Sequence, residues 1–160
     1  MVFYFIYLKE KNNLNESDIN ITPIRLADYK KIIFFTGAGM SKESGIPTYR
    51  GEGGTWEKYN YRDYACQSAF ENDPEKVLIF HEKRRKEALL CKPHLGHRIV
   101  SKLAKIHSSV YIITQNIDGM HQRSGSVNVI ELHGSLWRVS CSCKGVVEDF
   151  GDKYEYHICP

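Results

Sequence analysis

Three short segments carry residue types that could bind an anion, read an amide and take a proton. In "GAGMSKESGIPTYR" (37–50), Gly37 and Gly39 would let backbone amides approach an anion closely, and Ser41 and Ser44 could cap the turn that follows. In "TQNIDGMH" (114–121), Gln115 and Asn116 can bond sugar hydroxyls or a carboxamide, and Asp118 can accept from an amide NH₂. In "HGS" (133–135), His133 is the side chain best matched to taking a proton near neutral pH. Each segment alone also has a plain structural reading. The glycine pair can be a strand-to-helix turn, "NIDG" an Asx turn opening a short helix, and a lone histidine at a strand end is usually structural. A dinucleotide fingerprint of the dehydrogenase type does not fit. Lys42 stands where that pattern needs a small residue, and "GEGGTWEKY" reads as loop where an acidic strand end is required.

The elements that must position these segments can be read from periodicity. "KIIFF" (31–35), "VYIIT" (110–114) and "NVIEL" (128–132) read as strands. The first two are apolar without alternation, which predicts a parallel sheet covered on both faces. Between them "HLGHRIVSKLAKI" predicts a crossover helix, with Leu95, Ile99, Leu103 and Ile106 on one face as its packing stripe. A second helix starts at "DPEKV", where Asp73 caps it and Pro74 suits the first turn. Its inward stripe runs Val77, Phe80, His81, Arg84 and Ala88, so two polar residues face the protein. "GMHQRS" predicts a short helix ended by Gly125. The three chemical segments each follow a strand. In open parallel sheets ligands bind beyond the carboxyl ends of the strands, so the segments are expected to converge on one crevice.

Bulk properties exclude several classes. The chain has 160 residues, with 42% hydrophobic and 26% charged content, as for one globular domain. A net charge of +3 with basic residues scattered apart from "KRRK" (83–86) gives no reason to expect nucleic acid. The apolar start "MVFYFIYL" is too short to span a bilayer and lacks the features of a signal peptide, so no membrane partner is expected. Five cysteines, three of them (Cys141, Cys143 and Cys159) near the C-terminus, suggest metal or thiol chemistry in a reducing, cytoplasmic setting. A structural zinc site wants four ligands, and those three cysteines leave one to find; His157 is poorly spaced for it.

Taken together, "GAGMSKESGIPTYRG", "TQNIDGMHQRSG" and "ELHGS", with "GTW" (54–56) and "KPHLGH" (92–97), resemble the N-terminal part of a sirtuin, over about residues 24 to 160. The resemblance implies an α/β, Rossmann-like parallel sheet, here truncated, with the beginning of a small zinc-binding module. The implied organisation is an extension over 1–22, a partial NAD-binding domain over 23–138 with a helical insertion at about 52–92, and an incomplete zinc module over 139–160. It implies an NAD-dependent protein-lysine deacylase whose products are free lysine, nicotinamide and O-acyl-ADP-ribose. By position, Gly37, Ala38, Gly39, Ser41 and Glu43 would contact NAD, followed by Ile46, Pro47, Thr48, Tyr49, Arg50 and Trp56. Gln115 and Asn116 would meet the nicotinamide-side ribose, with Ile117 beside them and Asp118 on the carboxamide. His133 would be the general base on the ribose hydroxyls, with Asn116 and Asp118 completing the catalytic set. Cys141, Cys143 and Cys159 would be zinc ligands.

Departures from the family pattern carry their own expectations. Tyr49 stands where the family usually has Phe. In the branch that removes succinyl and malonyl groups, a Tyr-x-x-Arg pair reads the acyl carboxylate; His81 and Arg84 align with it, and Ala65 matches that branch's widened acyl pocket. The substrate is then an acyl-lysine protein or peptide. Because a sirtuin continues past the zinc module, the chain is expected to be a fragment or truncated product, with an exposed sheet edge and apolar surface, and with reduced stability and activity alone. An alternative is a non-catalytic binder of NAD or ADP-ribose; a zinc-knuckle nucleic-acid module is a third reading.

Overall fold

The computed structural model describes residues 25–141 and 145–153. After a 3-10 turn at Leu26–Asp28, three strands form a parallel sheet in the order β1-β2-β3: β1 (Ile32–Thr36), β2 (Val110–Thr114) and β3 (Val129–Glu131). The register runs from Ile32 opposite Val110 to Thr36 opposite Thr114, and from Ile112 opposite Val129 to Thr114 opposite Glu131. Central β2 therefore ends level with both neighbours, and the segments that follow emerge together at one end of the sheet. The strands lie within a residue or two of their predicted ranges. The Ile32 N–H bond to the Ser109 carbonyl (3.0 Å) sets where β1 begins to pair.

Two expectations about packing are overturned. The sheet is covered on one face only. Val110, Ile112 and Thr114 are buried, but on the opposite face Ile33, Phe35 and Ile130 are 40%, 52% and 51% exposed. The second reversal concerns α6 (Leu95–Ile106), the predicted crossover helix. It buries His97, Val100, Ser101 and Ala104, while Leu95, Ile99 and Ile106 face outward and Leu103 is half-buried. Small and polar side chains let this helix lie close to its neighbours, and its buried His97 stacks edge-on against His121 of α7 (Met120–Arg123) at 4.9 Å. Helical periodicity tells which residues share a face; here the larger apolar stripe is not the one that packs on β2.

The connection from β1 to α6 is helical. Four-residue α1 (Gly39–Lys42) follows β1 directly. After a loop come α2 (Thr55–Lys58), α3 (Tyr61–Tyr64), α4 (Gln67–Asn72) and the long α5 (Pro74–Leu90). Asp73 caps α5 as expected, its Oδ1 accepting the Lys76 N–H at 3.0 Å, with Pro74 in the first turn. The helix buries Val77, Phe80, Arg84, Arg85 and Ala88 and leaves His81 half-buried. Phe80 anchors an aromatic cluster, its ring 4.7 Å from Tyr64, 5.1 Å from Tyr59 and 6.0 Å from Trp56. At its other end Arg123 donates to the Ala88 and Cys91 carbonyls, both at 2.7 Å, and so satisfies the carbonyls that a helix terminus leaves over. Ile46, Ala88, Met120, Leu136 and Trp137 form the core beneath this junction. Gly119 (φ 70°) is required there, since a β-carbon would lie 2.6 Å from Trp137 Nε1.

An antiparallel hairpin, β4 (Arg138–Cys141) and β5 (Gly145–Glu148), follows the sheet. Cys143, Cys159 and His157 lie outside the described residues, as does the proposed 1–22 extension, and no group of three metal-capable side chains occurs among the described ones. No helix among the described residues is long and apolar enough to cross a membrane. The fully buried Arg85 joins hairpin to helix: its guanidinium lies 2.8 Å from Asp149 Oδ1, donates to the Asp149 and Gly151 carbonyls (2.7 and 2.8 Å) and stacks over Trp137. Half of the "KRRK" run is thus a structural clamp. Removing one partner of such a pair strands the other, so Arg85→Met is expected to lower unfolding free energy by roughly 3 kcal/mol in urea titration.

Candidate functional site

At the carboxyl end of the sheet, paired threonines begin a hydrogen-bond chain. The Thr36 hydroxyl donates to Thr114 Oγ1 at 2.9 Å, and Thr114 Oγ1 also accepts the Asn116 N–H at 3.0 Å. The Asn116 amide then donates to the Gly37 carbonyl (2.9 Å) and to Ser41 Oγ (3.2 Å). Asn116 is 4% exposed and Ser41 fully buried. The second chemical segment therefore holds the first in place through one buried amide. On the other side Thr36 Oγ1 lies 2.9 Å from His121 Nε2; as the threonine proton goes to Thr114, His121 carries its own proton on Nε2 and donates. Ser41 and Ser44 do not cap α1 as expected: its N-cap is Ala38, with no side-chain cap bond. Ser41 is instead taken up by Asn116.

The glycines of the loop divide into two kinds. Gly45 (φ 94°) is needed for its backbone conformation. Gly37 and Gly39 adopt no positive φ. A β-carbon on Gly37 would meet nothing nearer than Gln115 Nε2 at 3.9 Å, and one on Gly39 would meet nothing within 4 Å. The fold itself does not demand glycine at either position. A bare backbone facing open space suits a group that approaches the amides closely, which is what a pyrophosphate requires.

A narrow cleft of about 370 Å³, its open mouth included, lies beside this loop. Its floor is Ala38, Ser41, Asn116, Ile117 and Asp118, and its far wall includes Ile46, Pro47, Tyr49, Arg84, Glu87, Ala88 and Leu136. Tyr49 stacks on Trp56 at 5.3 Å and lies under the Arg84 guanidinium, also at 5.3 Å. Burial raises the Tyr49 phenol pKa above its usual value, with Arg84 opposing and Asp118 adding to the shift. Arg84, 9% exposed, donates to Thr55 Oγ1 at 2.8 Å and lies 3.5 Å from Glu87. Asp118 Oδ1 accepts the Met120 N–H at 2.9 Å, making the Asx turn, while its carbonyl takes the Trp137 indole proton at 2.9 Å. Exposed His133 places Nδ1 3.1 Å from the Gln115 carbonyl. A carbonyl can only accept, so Nδ1 carries the proton and Nε2 keeps its lone pair.

Most of the sequence-selected positions are thus gathered at one end of the sheet. Glu43 and Arg50 are exposed on the loop, and Thr48 bonds locally, its hydroxyl donating to the Arg50 carbonyl. His81 and Ala65 are not among the residues lining the cleft. His81 is half-buried, with burial lowering its pKa and a bond to the Tyr64 backbone opposing. Glu87, Ala88 and Leu136 line the cleft without having been expected there, and Thr36, Thr114 and His121 form its support. The two threonines were visible as the polar last residues of apolar strands. Glu87 and Leu136 left no local signal.

An α/β chain with a Rossmann-like parallel sheet and this constellation at its strand ends defines a nucleotide-binding class. The pattern of the Sir2 family matches residues 37–157, and the chain belongs to that family. It is 42% identical over 125 residues to NAD-dependent protein deacylase 1 of Caldanaerobacter subterraneus, covering 78% of this chain and 52% of the relative. It is 40% identical over 138 residues to the mitochondrial NAD-dependent protein deacylase sirtuin-5 of Canis lupus familiaris, covering 84% and 44%. Among solved structures, a mutant Sir2 homologue in complex with ADP-ribose superposes with a TM-score of 0.75 at 39% identity, covering 82% of this chain and 53% of that one. A Sir2 homologue–NAD complex gives 0.71 at 40% identity, covering 81% and 51%. The chain spans about half the length of the relatives it matches.

Two buried rings beneath the site make its stability pH-dependent. Burial, with repulsion from neighbouring histidines, lowers the pKa of His97 and of His121 to about 4. Unfolded, such rings titrate near 6.5. Between these values the unfolded chain binds the extra protons, so the contribution is complete above about pH 7 and declines as pH falls towards 4. Urea unfolding at pH 7.5 and 4.5 should differ by on the order of 3 kcal/mol from this pair. Neither His97 nitrogen has a hydrogen-bond partner, so His97→Leu should cost little at pH 7.5 and flatten that dependence.

Proposed function

We propose that this chain carries the NAD-binding and base-bearing part of an NAD-dependent protein-lysine deacylase. The observation that carries the reading is the convergence, around one cleft, of the open backbone at Gly37 and Gly39, the buried Asn116 amide and a His133 whose Nε2 is left basic. Bound NAD would supply a ribose whose bond to nicotinamide breaks when an acyl oxygen takes its place. The loop from Gly37 to Arg50 would hold the pyrophosphate at one end and, through Tyr49 stacked on Trp56, cover the nicotinamide at the other. Asn116 would fix the loop to the sheet, and Asp118 would accept from the carboxamide. His133 would take a ribose hydroxyl proton at Nε2 while the Gln115 carbonyl holds the ring in orientation. The products would be free lysine, nicotinamide and O-acyl-ADP-ribose, and the substrate an acyl-lysine protein or peptide.

Arg84 carries a finer part of the proposal, a preference for acidic acyl groups. A guanidinium suits a carboxylate, and this one is turned into the cleft beside Tyr49 rather than out to solvent. A structural zinc on Cys141, Cys143, Cys159 and a further ligand would complete the hairpin module.

A second reading, binding of NAD or ADP-ribose without turnover, is favoured by the bare sheet face and by the half-length match to the relatives. Titration calorimetry with ADP-ribose and nicotinamide release from acetylated and succinylated peptides separate the two. Native chain that releases nicotinamide, with release lost and binding kept in His133→Ala, supports the enzyme; binding without release supports the binder. Gly39→Ala should leave the unfolding midpoint unchanged and weaken ADP-ribose by about tenfold or more, and unaltered binding would overturn the cradle. With an active protein, Arg84→Met should reduce succinyl turnover far more than acetyl turnover, and an equal loss would remove the acidic-acyl preference.

A further inference from the structure

One imidazole outside the proposed chemistry touches the glycine loop directly. His94 lies between α5 and α6, half-buried, and is the N-cap of α6: its Nδ1 accepts the Gly96 N–H at 3.0 Å. A neutral ring that accepts at Nδ1 carries its proton on Nε2, and Nε2 lies 2.6 Å from the Met40 carbonyl. The same ring therefore caps one helix and donates to the backbone of α1. The Glu43 carboxylate lies 3.6 Å from Nδ1, but its side chain is 82% exposed. Such a pair is screened by water and weak, so the Gly96 N–H decides the tautomer. Gly96 is fitted to this arrangement as well, because a β-carbon there would stand 2.6 Å from His94 Cε1 and 3.3 Å from the Met40 methyl.

The tie matters because α1 has only four residues and two glycines just before and at its start. A helix that short has no stability of its own, and those glycines leave its backbone free to rearrange. Asn116 holds the loop from the sheet side, at Gly37 and Ser41. His94 holds it from the α6 side, at Met40. We infer that His94 is a positioning residue that sets the backbone of the glycine loop for a nucleotide pyrophosphate, through its Nε2–H bond to the Met40 carbonyl. The inference rests on the proposed NAD-binding role of that loop. Capping alone does not require histidine, since asparagine accepts an N-terminal amide as well or better. The second nitrogen, on the far side of the ring, is what asparagine lacks the reach to replace.

His94→Asn therefore separates the two roles. The expected result is an unfolding midpoint close to native, because the cap survives, with ADP-ribose affinity by calorimetry reduced about tenfold. Native affinity in His94→Asn overturns the inference. Two measurements decide it without ligand. Imidazole ¹⁵N shifts of the native chain should show Nδ1 bare and Nε2 protonated; the opposite tautomer or an averaged pair overturns it. Hydrogen exchange at the Ser44 and Gly45 amides, which bond to Ser41 and Lys42 carbonyls, should speed up in His94→Asn, and unchanged exchange overturns it. Failure of the native chain to bind ADP-ribose would instead count against the NAD-binding role, and the tautomer and exchange results would still report on the tie.

Discussion

The parallel pairing of β1 with β2, in the register that sets Thr36 opposite Thr114, is the constraint on which the site depends. Because the two strands end level, their terminal hydroxyls meet at 2.9 Å. Thr114 then orients the Asn116 backbone, and the Asn116 side chain grips Gly37 and Ser41. A slip of one residue would turn Thr36 to the uncovered face and move the glycine loop away from Asn116. The same junction accepts the Leu132 N–H at the Thr114 carbonyl, which delivers the chain towards His133. The loop, the amide and the base are thus brought together by one pairing.

Different physical demands act on residues of the same type. Gly119 and Gly96 are tied to the fold by close contacts with Trp137 and His94, whereas Gly37 and Gly39 face space that no protein atom fills. Three histidines in contact likewise do three things. His121 donates to Thr36, His97 is enclosed without a partner, and His94 caps α6 while holding α1. The cost of enclosing rings that water would otherwise solvate is an acid sensitivity placed directly under the site.

The uncovered face of the sheet sets the limits of the half-length match. Ile33, Phe35 and Ile130 on that face, and Leu95, Ile99 and Ile106 on α6, leave apolar surface on both sides of the described fold. Each buried methylene is worth about 0.8 kcal/mol, so the free energy available from covering these side chains is a sizeable share of a small domain's stability. The helical insertion, in contrast, is well tied, through the Phe80 cluster, the Arg123 cap and the Arg85 clamp.

The sequence by itself determined the strands, the capped start of α5, the Asx turn at Asp118 and the convergence of three chemical segments, since each depends on local periodicity or a short-range bond. It also carried the family, because three motifs in order are specific where none is alone. Tertiary structure decided which face of α6 packs, that Arg85 joins hairpin to helix, that Arg84 turns into the cleft while His81 does not line it, and that His94 reaches Met40. Those outcomes depend on contacts between residues 54 and 64 positions apart, such as Met40 with His94 and Arg85 with Asp149. Periodicity tells which side chains point the same way; only the packed chain shows what each of them meets.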